Sequence, residues 1–342
     1  MNHKEIAKQI VKHFEDHGLE ITPNKVNVGP IVTSYFFEVK DYVHMHLVEI
    51  AGKTLRMVLK CPNLCVELAY TEGFISVEMP NKERDIVNFE DYQERFTGLS
   101  KLEVFFGLNK KGEAVFADLA GFPHLLIAGQ TGSGKSVALH AIVASLTAPM
   151  ASFNTRYYFI DPKRVEFARY KDEDFICNSI DGGKEIIFSS VEARDALKLL
   201  CSYLDQRLEN FAKAKAKDFD EYCSMKNIDL QRIVVMIDEF ADLMHSEYAK
   251  EIEESVCRLA ALGRAAGIHL VIATQRPSVD VLTGRIKANI PARLSFALPS
   301  SVDSRTILGV SGAENLLGNG DCLFLDPISK EPIRLQAPFI KL

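Results

Sequence analysis

The 342-residue sequence lacks the features of a membrane-spanning, secreted or strongly basic protein. No apolar run approaches the roughly 20 residues that a bilayer-spanning helix needs, and the amino-terminal residues contain no apolar signal region. The formal net charge is −6, so the chain carries no general excess of positive charge. We therefore expect a cytoplasmic protein without direct membrane insertion. Nucleic-acid binding stays compatible with this charge, because a closed ring can confine positive charge to a pore.

Cysteine is also scarce. The seven cysteines are odd in number and mostly lie in apolar segments, which indicates reduced, buried thiols. Cys61 and Cys65 form the only close pair, and a zinc site would need a second pair of ligands at suitable spacing. The sequence contains no internal repeat and no low-complexity tract. Neither a zinc module nor a repeat protein is expected.

A glycine-rich loop lies between an apolar run and an amphipathic stretch. Residues 129–136 fit the pattern G-x-x-x-x-G-K-[ST] without a mismatch, directly after the apolar run 124–128. Three glycines allow successive backbone N–H groups to turn toward phosphate oxygens, and the start of the next helix adds the positive end of its dipole. The sequence therefore predicts that the chain binds a nucleoside triphosphate. The expected binding residues are Gly129, Gln130, Thr131, Gly132, Ser133, Gly134, Lys135, Ser136 and Val137.

Two residues of this loop and two carboxylates further along have individual roles in the prediction. Lys135 is expected to reach the β- and γ-phosphates, and the Ser136 hydroxyl to hold Mg²⁺. Downstream, the apolar run 233–237 ends in Asp238 and Glu239. Carboxylates at the end of a buried strand lie where ligands bind in an open parallel sheet. We expect Asp238 to contact Mg²⁺, directly or through water, and Glu239 to activate the attacking water.

The residue types favour an ATPase. A switch GTPase usually places a glutamine in a mobile loop for the task assigned to Glu239, so a glutamate beside Asp238 favours ATP hydrolysis. A third polar group, Gln275, follows another apolar run and could sense the γ-phosphate. A polar turn ended by Pro277 is an equally good interpretation of that stretch alone. The expected cofactors are ATP and Mg²⁺.

Strand and helix patterns alternate from residue 119 onward. The strand candidates are residues 125–128, 156–160, 233–237, 269–273 and 292–297, with helical segments between most of them. Alternation of this kind predicts an α/β fold with a mainly parallel sheet covered by helices. This segment, 119–342, is expected to form one nucleotide-binding domain.

The first part of the chain follows a different pattern. A helix is predicted over residues 1–18, strands over 29–40 and 73–80, and helical stretches around 43–60 and 63–70. These elements predict a small α+β domain over residues 1–90. Residues 91–118 are expected to form a connecting region that contains a β-hairpin.

Longer strings of the sequence match one family. They are residues 123–136, 160–166, 235–244, 259–284, 287–293, 303–308 and 317–321, with 29–33 and 77–84 earlier in the chain. The later strings resemble the motor of FtsK/SpoIIIE-type DNA translocases, and the earlier two resemble the small domain that precedes it. The resemblance covers nearly the whole chain in order. It implies a RecA-like P-loop NTPase core that assembles as a hexameric ring and pulls double-stranded DNA through by ATP hydrolysis.

The resemblance also implies roles outside the nucleotide loop. ATP in such a ring lies between subunits, and Arg264 matches the arginine finger that one subunit supplies to the next. A solvated arginine at a helix end is the alternative reading of that residue. Two pore-facing loops are expected to contact DNA phosphates, so that binding is largely independent of sequence. The candidate DNA-binding residues are Arg276, Arg285, Lys287, Ser301 and Arg305, with Thr283 nearby; each could instead belong to a solvated charged loop.

The sequence departs from the family pattern at several points. Ser301 stands where the family usually has a basic residue, so one phosphate contact is missing and Arg305 is expected to carry more of the load. No membrane anchor precedes the motor and no winged-helix domain follows it, which predicts a stripped-down motor whose recruiting partner is open. Two alternatives remain: a coupling or secretion ATPase that moves single-stranded DNA or protein, and a nucleotide-controlled DNA-binding assembly factor that does not translocate.

Overall fold

The computed structural model describes residues 2–39, 46–61, 63–69, 74–96, 102–148, 155–171, 173, 175–176, 186–228, 230–329 and 331–341. The chain divides into two compact units. The first comprises residues 1–86 and 108–114, and the second comprises residues 87–107 and 115–342. Within the described residues, no helix combines the length and the apolar character needed to cross a bilayer.

The first unit is an antiparallel sheet packed against two helices. Its elements are α1 (His3–Asp16), β1 (Ile21–Val28), β2 (Val32–Val39), α2 (His46–Val58), β3 (Cys65–Ala69) and β4 (Phe74–Pro80). The strands lie in the order β1-β2-β4-β3. Ile10 and Phe14 recur at helical spacing on α1 and are fully buried with Phe37 of β2, as an amphipathic helix over a sheet requires. The small α+β fold predicted for this part of the chain is confirmed.

One element of this unit differs from the sequence prediction. Residues 63–70 were expected to be helical, but residues 65–69 form the edge strand β3. This strand pairs antiparallel with β4, with Val66 opposite Val77. Five residues are too few to hold a helix by themselves, whereas an open sheet edge supplies backbone partners along the whole segment.

The second unit is built on a nine-stranded sheet in the order β6-β5-β13-β12-β11-β7-β10-β9-β8. Its strands are β5 (Glu103–Asn109), β6 (Ala114–Asp118), β7 (His124–Ala128), β8 (Thr155–Ile160), β9 (Arg232–Ile237), β10 (Ile268–Thr274), β11 (Ala292–Phe296), β12 (Asp321–Leu325) and β13 (Ile333–Gln336). Its helices are α3 (Lys135–Leu146), α4 (Ser190–Ala214), α5 (Phe219–Lys226), α6 (Phe240–Met244), α7 (Ala249–Ala266), α8 (Gly284–Asn289) and α9 (Ser301–Leu308).

Five adjacent strands of this sheet, β11, β7, β10, β9 and β8, run parallel. One apolar cluster covers one face of the sheet and includes residues of α4 and α7; the other includes residues of α3. Because strands buried on both faces read as continuous apolar runs, all five strand predictions in this region are confirmed. The expected α/β fold with a mainly parallel sheet is confirmed as well.

The parallel strands place the predicted motifs at one edge of the sheet. This edge is the row of carboxyl ends of the parallel strands, not an outermost strand. The segments that follow β7, β8, β9 and β10 all leave from carboxyl ends, and those ends are neighbours in the sheet. An open parallel sheet binds its ligands at that edge. The edge formed by residues 129–136, 161–166, 238–239 and 275 is called the phosphate-loop edge below.

Candidate nucleotide-binding site

The glycine-rich loop at residues 129–136 joins β7 to α3. Gly132 and Gly134 have φ angles of 79° and 104°, which glycine adopts without the strain that a side chain would impose. A Cβ atom on Gly134 would lie 2.4 Å from the backbone nitrogen of Gly320. Helix α3 begins at Lys135 and has no side-chain cap. Its first N–H groups are therefore available to an anion, as phosphate binding requires.

Lys135 and Asp238 form a buried ion pair between the loop and β9. Lys135 Nζ lies 2.9 Å from Asp238 Oδ1 and 3.1 Å from the backbone oxygen of the same residue. The side chains are 3% and 2% exposed. Burial raises the pKa of the Asp238 carboxyl, and the neighbouring ammonium opposes this rise. Phosphate oxygens and a cation would each offer one member of this pair a new partner of opposite charge.

Glu239 is held from both neighbouring strands. Thr274 Oγ1 donates to Glu239 Oε1 at 2.7 Å, and the backbone N–H of Gln275 donates to the same oxygen at 3.1 Å. On the other side, Lys163 Nζ lies 2.8 Å from Glu239 Oε2. Burial alone would raise the pKa of this carboxyl, but the hydrogen bonds from Lys163, Thr274 and Gln275 outweigh it and the pKa is lowered. The carboxylate is therefore ionised and fixed in direction, as a general base must be.

Gln275 and Ser136 also have partners at this edge. Thr131 Oγ1 donates to Gln275 Oε1 at 3.1 Å, which ties the residue after β10 to the glycine-rich loop. Ser136 Oγ donates to Glu166 Oε1 at 2.6 Å, and His140 Nε2 lies 3.1 Å from Glu166 Oε2. The hydrogen bond from His140 is the main cause of a lowered pKa at Glu166, against the opposing effect of burial.

The donor set at this edge fits a magnesium ion bound with a nucleotide. The Ser136 hydroxyl and the Asp238 carboxylate are hard oxygen donors, which Mg²⁺ prefers. Magnesium at such sites takes one or two protein ligands together with phosphate oxygens and several waters. The described residues contain no group of three or more His, Cys, Asp or Glu side chains that could hold a metal ion alone.

Arg264 lies away from these groups. It is exposed in the last turn of α7, four residues before β10 begins at Ile268. Gln275 follows the opposite end of β10, and a seven-residue strand is about 20 Å long. Arg264 therefore lies beyond the opposite end of β10 from Gln275 and Glu239, too far along the strand for its side chain to reach them.

The candidate DNA-binding residues fall into two groups. Arg276 follows β10 at the phosphate-loop edge, and Ser301 and Arg305 lie on α9, which follows β11; both arginines are exposed. Arg285 and Lys287 lie on α8, which leads back to the start of β11. The structure therefore does not bring all five together.

Arg285 and Thr283 have other surroundings. Arg285 lines a groove between α4, α7 and α8 with Lys198 and Arg258. Thr283 caps α8 by accepting from the Ile286 N–H, and its hydroxyl donates to Glu253 at 2.7 Å. The contacts of Thr283 are those of a structural cap.

Sequence reasoning assigned no role to Lys163, Glu166, His140 or Thr274. The first two belong to the string 160–166, which contributed to the family resemblance without a chemical function. Their partners lie far away in the sequence, and only the pairing of β8 with β9 places this string beside Asp238 and Glu239. His140 is one helical turn after Ser136, so a polar residue inside an otherwise apolar helix was the available signal.

Two family models match this chain. The sequence model of the FtsK/SpoIIIE family matches residues 87–279, and that of the FtsK alpha domain matches residues 1–81. The chain is 37% identical to the DNA translocase FtsK of Streptococcus pneumoniae over 98% of its own length and 45% of that protein. It is 36% identical to the DNA translocase SpoIIIE of Bacillus subtilis, again over 98% of this chain and 44% of the relative. The chain thus spans a little under half the length of these relatives.

Solved structures agree on the fold. The conjugation coupling protein TcpA of pCW3, in its monomer form with ATPγS, superposes with a TM-score of 0.68 at 24% identity, covering 98% of this chain and 95% of TcpA. The cytoplasmic domain of the type VII secretion ATPase EccC of Thermomonospora curvata superposes with a TM-score of 0.60 at 22% identity, over 70% of this chain and 29% of EccC. At these identities the similarity shows a shared P-loop ATPase fold.

Proposed function

This chain belongs to the FtsK/SpoIIIE family, and we propose that it is an ATP-hydrolysing motor that translocates double-stranded DNA through a ring of subunits. Lys135 binds the β- and γ-phosphates, and Ser136 and Asp238 hold Mg²⁺. Glu239 accepts the proton of the attacking water, and Gln275 senses the γ-phosphate. The curated relatives are named DNA translocases, which supports DNA as the cargo.

The separation of Arg264 from Glu239 carries the ring part of the proposal. Within the described residues, no arginine forms an ion pair or hydrogen bond with Lys135, Ser136, Asp238 or Glu239. Negative charge builds up on the transferring phosphoryl group, and an arginine supplied there raises the rate of NTPases by about 10³–10⁵. Arg264 is exposed beyond the end of β10 that lies opposite its own chain's site. We propose that a neighbouring subunit receives it, so that the hydrolysis site is shared between subunits; the count of six subunits in the ring is the one that the family resemblance implies.

The proposed contact with DNA involves the exposed residues near the phosphate-loop edge. Arg276 and Arg305 follow β10 and β11, the two strands that flank β7. A movement of the glycine-rich loop during hydrolysis would therefore be transmitted to each arginine through one neighbouring strand. Cations at these positions bind phosphates without reading bases. Ser301 contributes at most a neutral hydrogen bond beside them.

The decisive measurement is steady-state ATP hydrolysis with and without linear duplex DNA, with single-stranded DNA as the comparison. We expect strong stimulation by duplex. In Glu239→Ala the stimulated rate should fall by about 10²–10⁴, the typical worth of a general base, while nucleotide binding persists. The matched control is Glu209→Ala, which removes an exposed glutamate of α4 and should leave the rate unchanged.

Displacement of a triplex-forming strand from duplex DNA then tests movement. Displacement that depends on ATP and is lost in Glu239→Ala supports translocation. Stimulation by duplex without displacement would favour the assembly factor that does not translocate. Stimulation by single strands alone would favour a coupling-type ATPase, and a rate indifferent to both would overturn DNA as the cargo.

A further inference from the structure

A carboxylate in the segment after β8 connects two side chains of α3. Glu166 accepts from the Ser136 hydroxyl with one oxygen, at 2.6 Å, and contacts His140 Nε2 with the other, at 3.1 Å. Ser136 and His140 are four residues apart, so both project from the same face of the helix. The remaining ring nitrogen, His140 Nδ1, lies 2.7 Å from the Tyr170 hydroxyl. Nothing in the nucleotide motif accounts for this chain of contacts.

With a neutral imidazole and an ionised carboxylate, one arrangement of protons satisfies all three contacts. The carboxylate can only accept, so Ser136 Oγ–H and His140 Nε2–H both donate to Glu166. Nδ1 of His140 then carries no proton and accepts from the Tyr170 O–H. Burial raises the pKa of Tyr170 to about 12, so this phenol keeps its proton near neutral pH. The Ser136 proton is therefore directed at Glu166.

We propose that Glu166 is a positioning residue for the cation: by accepting the Ser136 proton, it leaves the lone pairs of that hydroxyl oxygen for the Mg²⁺ of a bound nucleotide. The inference rests on the proposed role of Ser136 as a magnesium ligand. A hydroxyl binds a cation through its lone pairs, so its proton needs an acceptor other than the metal. Asp238 accepts from Lys135, and Glu166 is the carboxylate that contacts Ser136. His140 and Tyr170 fix the orientation of Glu166.

The test is the gain in nucleotide affinity that Mg²⁺ provides, measured with a fluorescent ATP analogue in EDTA and in excess Mg²⁺. Partners of metal ligands typically change metal affinity 10- to 100-fold. We expect Glu166→Ala to lose about tenfold or more of the magnesium-dependent gain, with affinity in EDTA changed by less than about twofold. The affinity in EDTA also reports whether the glycine-rich loop is still folded.

Two further variants separate positioning from a general structural effect. Glu166→Gln keeps an oxygen for the Ser136 proton, and its amide can donate to His140 once the imidazole adopts the other tautomer. We expect this variant to retain most of the gain. Tyr170→Phe removes only the hydroxyl at the end of this chain of contacts. The gain in nucleotide affinity that Mg²⁺ provides should become smaller by about a few-fold in this variant.

The combination of Glu166→Ala with Ser136→Ala identifies the route of the effect. If Glu166 acts through Ser136, the double variant loses no more of the magnesium-dependent gain than Ser136→Ala alone, because effects through one route are not additive. An additional loss in the double variant would overturn the proposal, since Glu166 would then act on the cation independently. A full gain in Glu166→Ala, or a loss in Glu166→Gln equal to that in Glu166→Ala, would also overturn it. A full gain in Ser136→Ala would instead remove Ser136 from the metal site, and the inference with it.

Discussion

The buried groups of the phosphate-loop edge and the exposed arginines Arg264 and Arg276 differ in how far contacts within the chain neutralise their charges. Lys135, Asp238 and Glu239 are almost completely buried, and each contacts a group of opposite charge. Arg264 and Arg276 are exposed, and within the described part of the chain neither forms an ion pair with an Asp or Glu side chain. The charges of the first group are therefore paired within one chain. The charges of the two arginines are not paired by an acidic side chain of the described residues.

This difference separates what a subunit can do alone from what an assembly must add. Buried groups with fixed partners have their geometry set by the fold, so they are organised before the reaction starts. An exposed arginine is hydrated, and a single contact at a protein surface contributes little. It becomes effective where a partner or a phosphate backbone excludes water from it. Substitution of Lys135 or Asp238 should therefore already change nucleotide binding by an isolated subunit, whereas substitution of either arginine should affect only the assembly or its complex with DNA.

The largest effect is expected for Arg264→Ala. Hydrolysis by the assembled protein should fall by about 10³-fold or more, because the charge on the transferring phosphoryl group loses its arginine. The affinity of isolated subunits for a fluorescent ATP analogue should change by less than about twofold, since the side chain does not reach its own site. Hydrolysis and subunit affinity, measured on the same preparation, check both parts.

Arg258 provides a matched control on the same helix. It is an exposed arginine of α7 that pairs with Asp205, and the loss of a surface pair of this kind costs about 0–1 kcal/mol. Arg258→Ala should hydrolyse ATP at nearly the normal rate. If Arg264→Ala did the same, the shared hydrolysis site would be wrong. If Arg264→Ala lost affinity as an isolated subunit, the arginine would act within its own chain.

The fold of the second unit could be predicted from the sequence to a large extent, and that of the first unit less so. The five parallel strands are short apolar runs buried on both faces, and such runs have few alternative structures. In the first unit, β1 is exposed along most of its length and shows no alternation, so it was not foreseen. The helix expected over residues 63–70 is the strand β3 because pairing with β4 outweighs a weak local preference.

The site could be predicted where its chemistry is local in the sequence. The loop 129–136 and the pair at Asp238 and Glu239 each follow one strand, so a fixed spacing identifies them. Lys163 and Glu166 contact residues that lie 76 and 30 positions away. The Lys163 contact depends on β8 lying beside β9, and the Glu166 contact depends on where α3 packs over the sheet. Neither can be read from spacing in the sequence.

A second prediction concerns two buried histidines that contact no carboxylate among the residues that the structure describes. His124 and His269, at the amino ends of β7 and β10, are fully buried, and burial lowers the pKa of each from 6.5 to about 3. The unfolded chain therefore binds protons below pH 6.5 that the folded chain cannot bind, so stability falls as the pH falls from 6.5 toward 3. At pH 5 each histidine should reduce the free energy of unfolding by about 2 kcal/mol relative to pH 7.

The measurement is urea unfolding of wild type and His269→Asn at pH 7 and pH 5. Asn keeps a donor for the Pro123 carbonyl that His269 Nδ1 contacts but cannot titrate. The loss of stability between the two pH values should be about 2 kcal/mol smaller in this variant. An equal loss in wild type and His269→Asn would show that the buried ring is protonated in the folded chain.

The smallest effect is expected for substitutions at the candidate DNA contacts. The measurement compares two pairs of cations, one near the phosphate-loop edge and one on α8. In Arg276→Ala/Arg305→Ala, two phosphate contacts are lost, so the slope of log affinity for duplex against log salt should become shallower by about 1.8. Between 50 and 200 mM salt, this corresponds to about a tenfold smaller change in affinity.

Arg285→Ala/Lys287→Ala is the matched pair on α8, where Arg285 lines the groove between α4, α7 and α8. It should flatten the slope less. Because both pairs remove the same charge, a general electrostatic effect would change both slopes equally, and an equal change would therefore remove the distinction between α8 and the phosphate-loop edge.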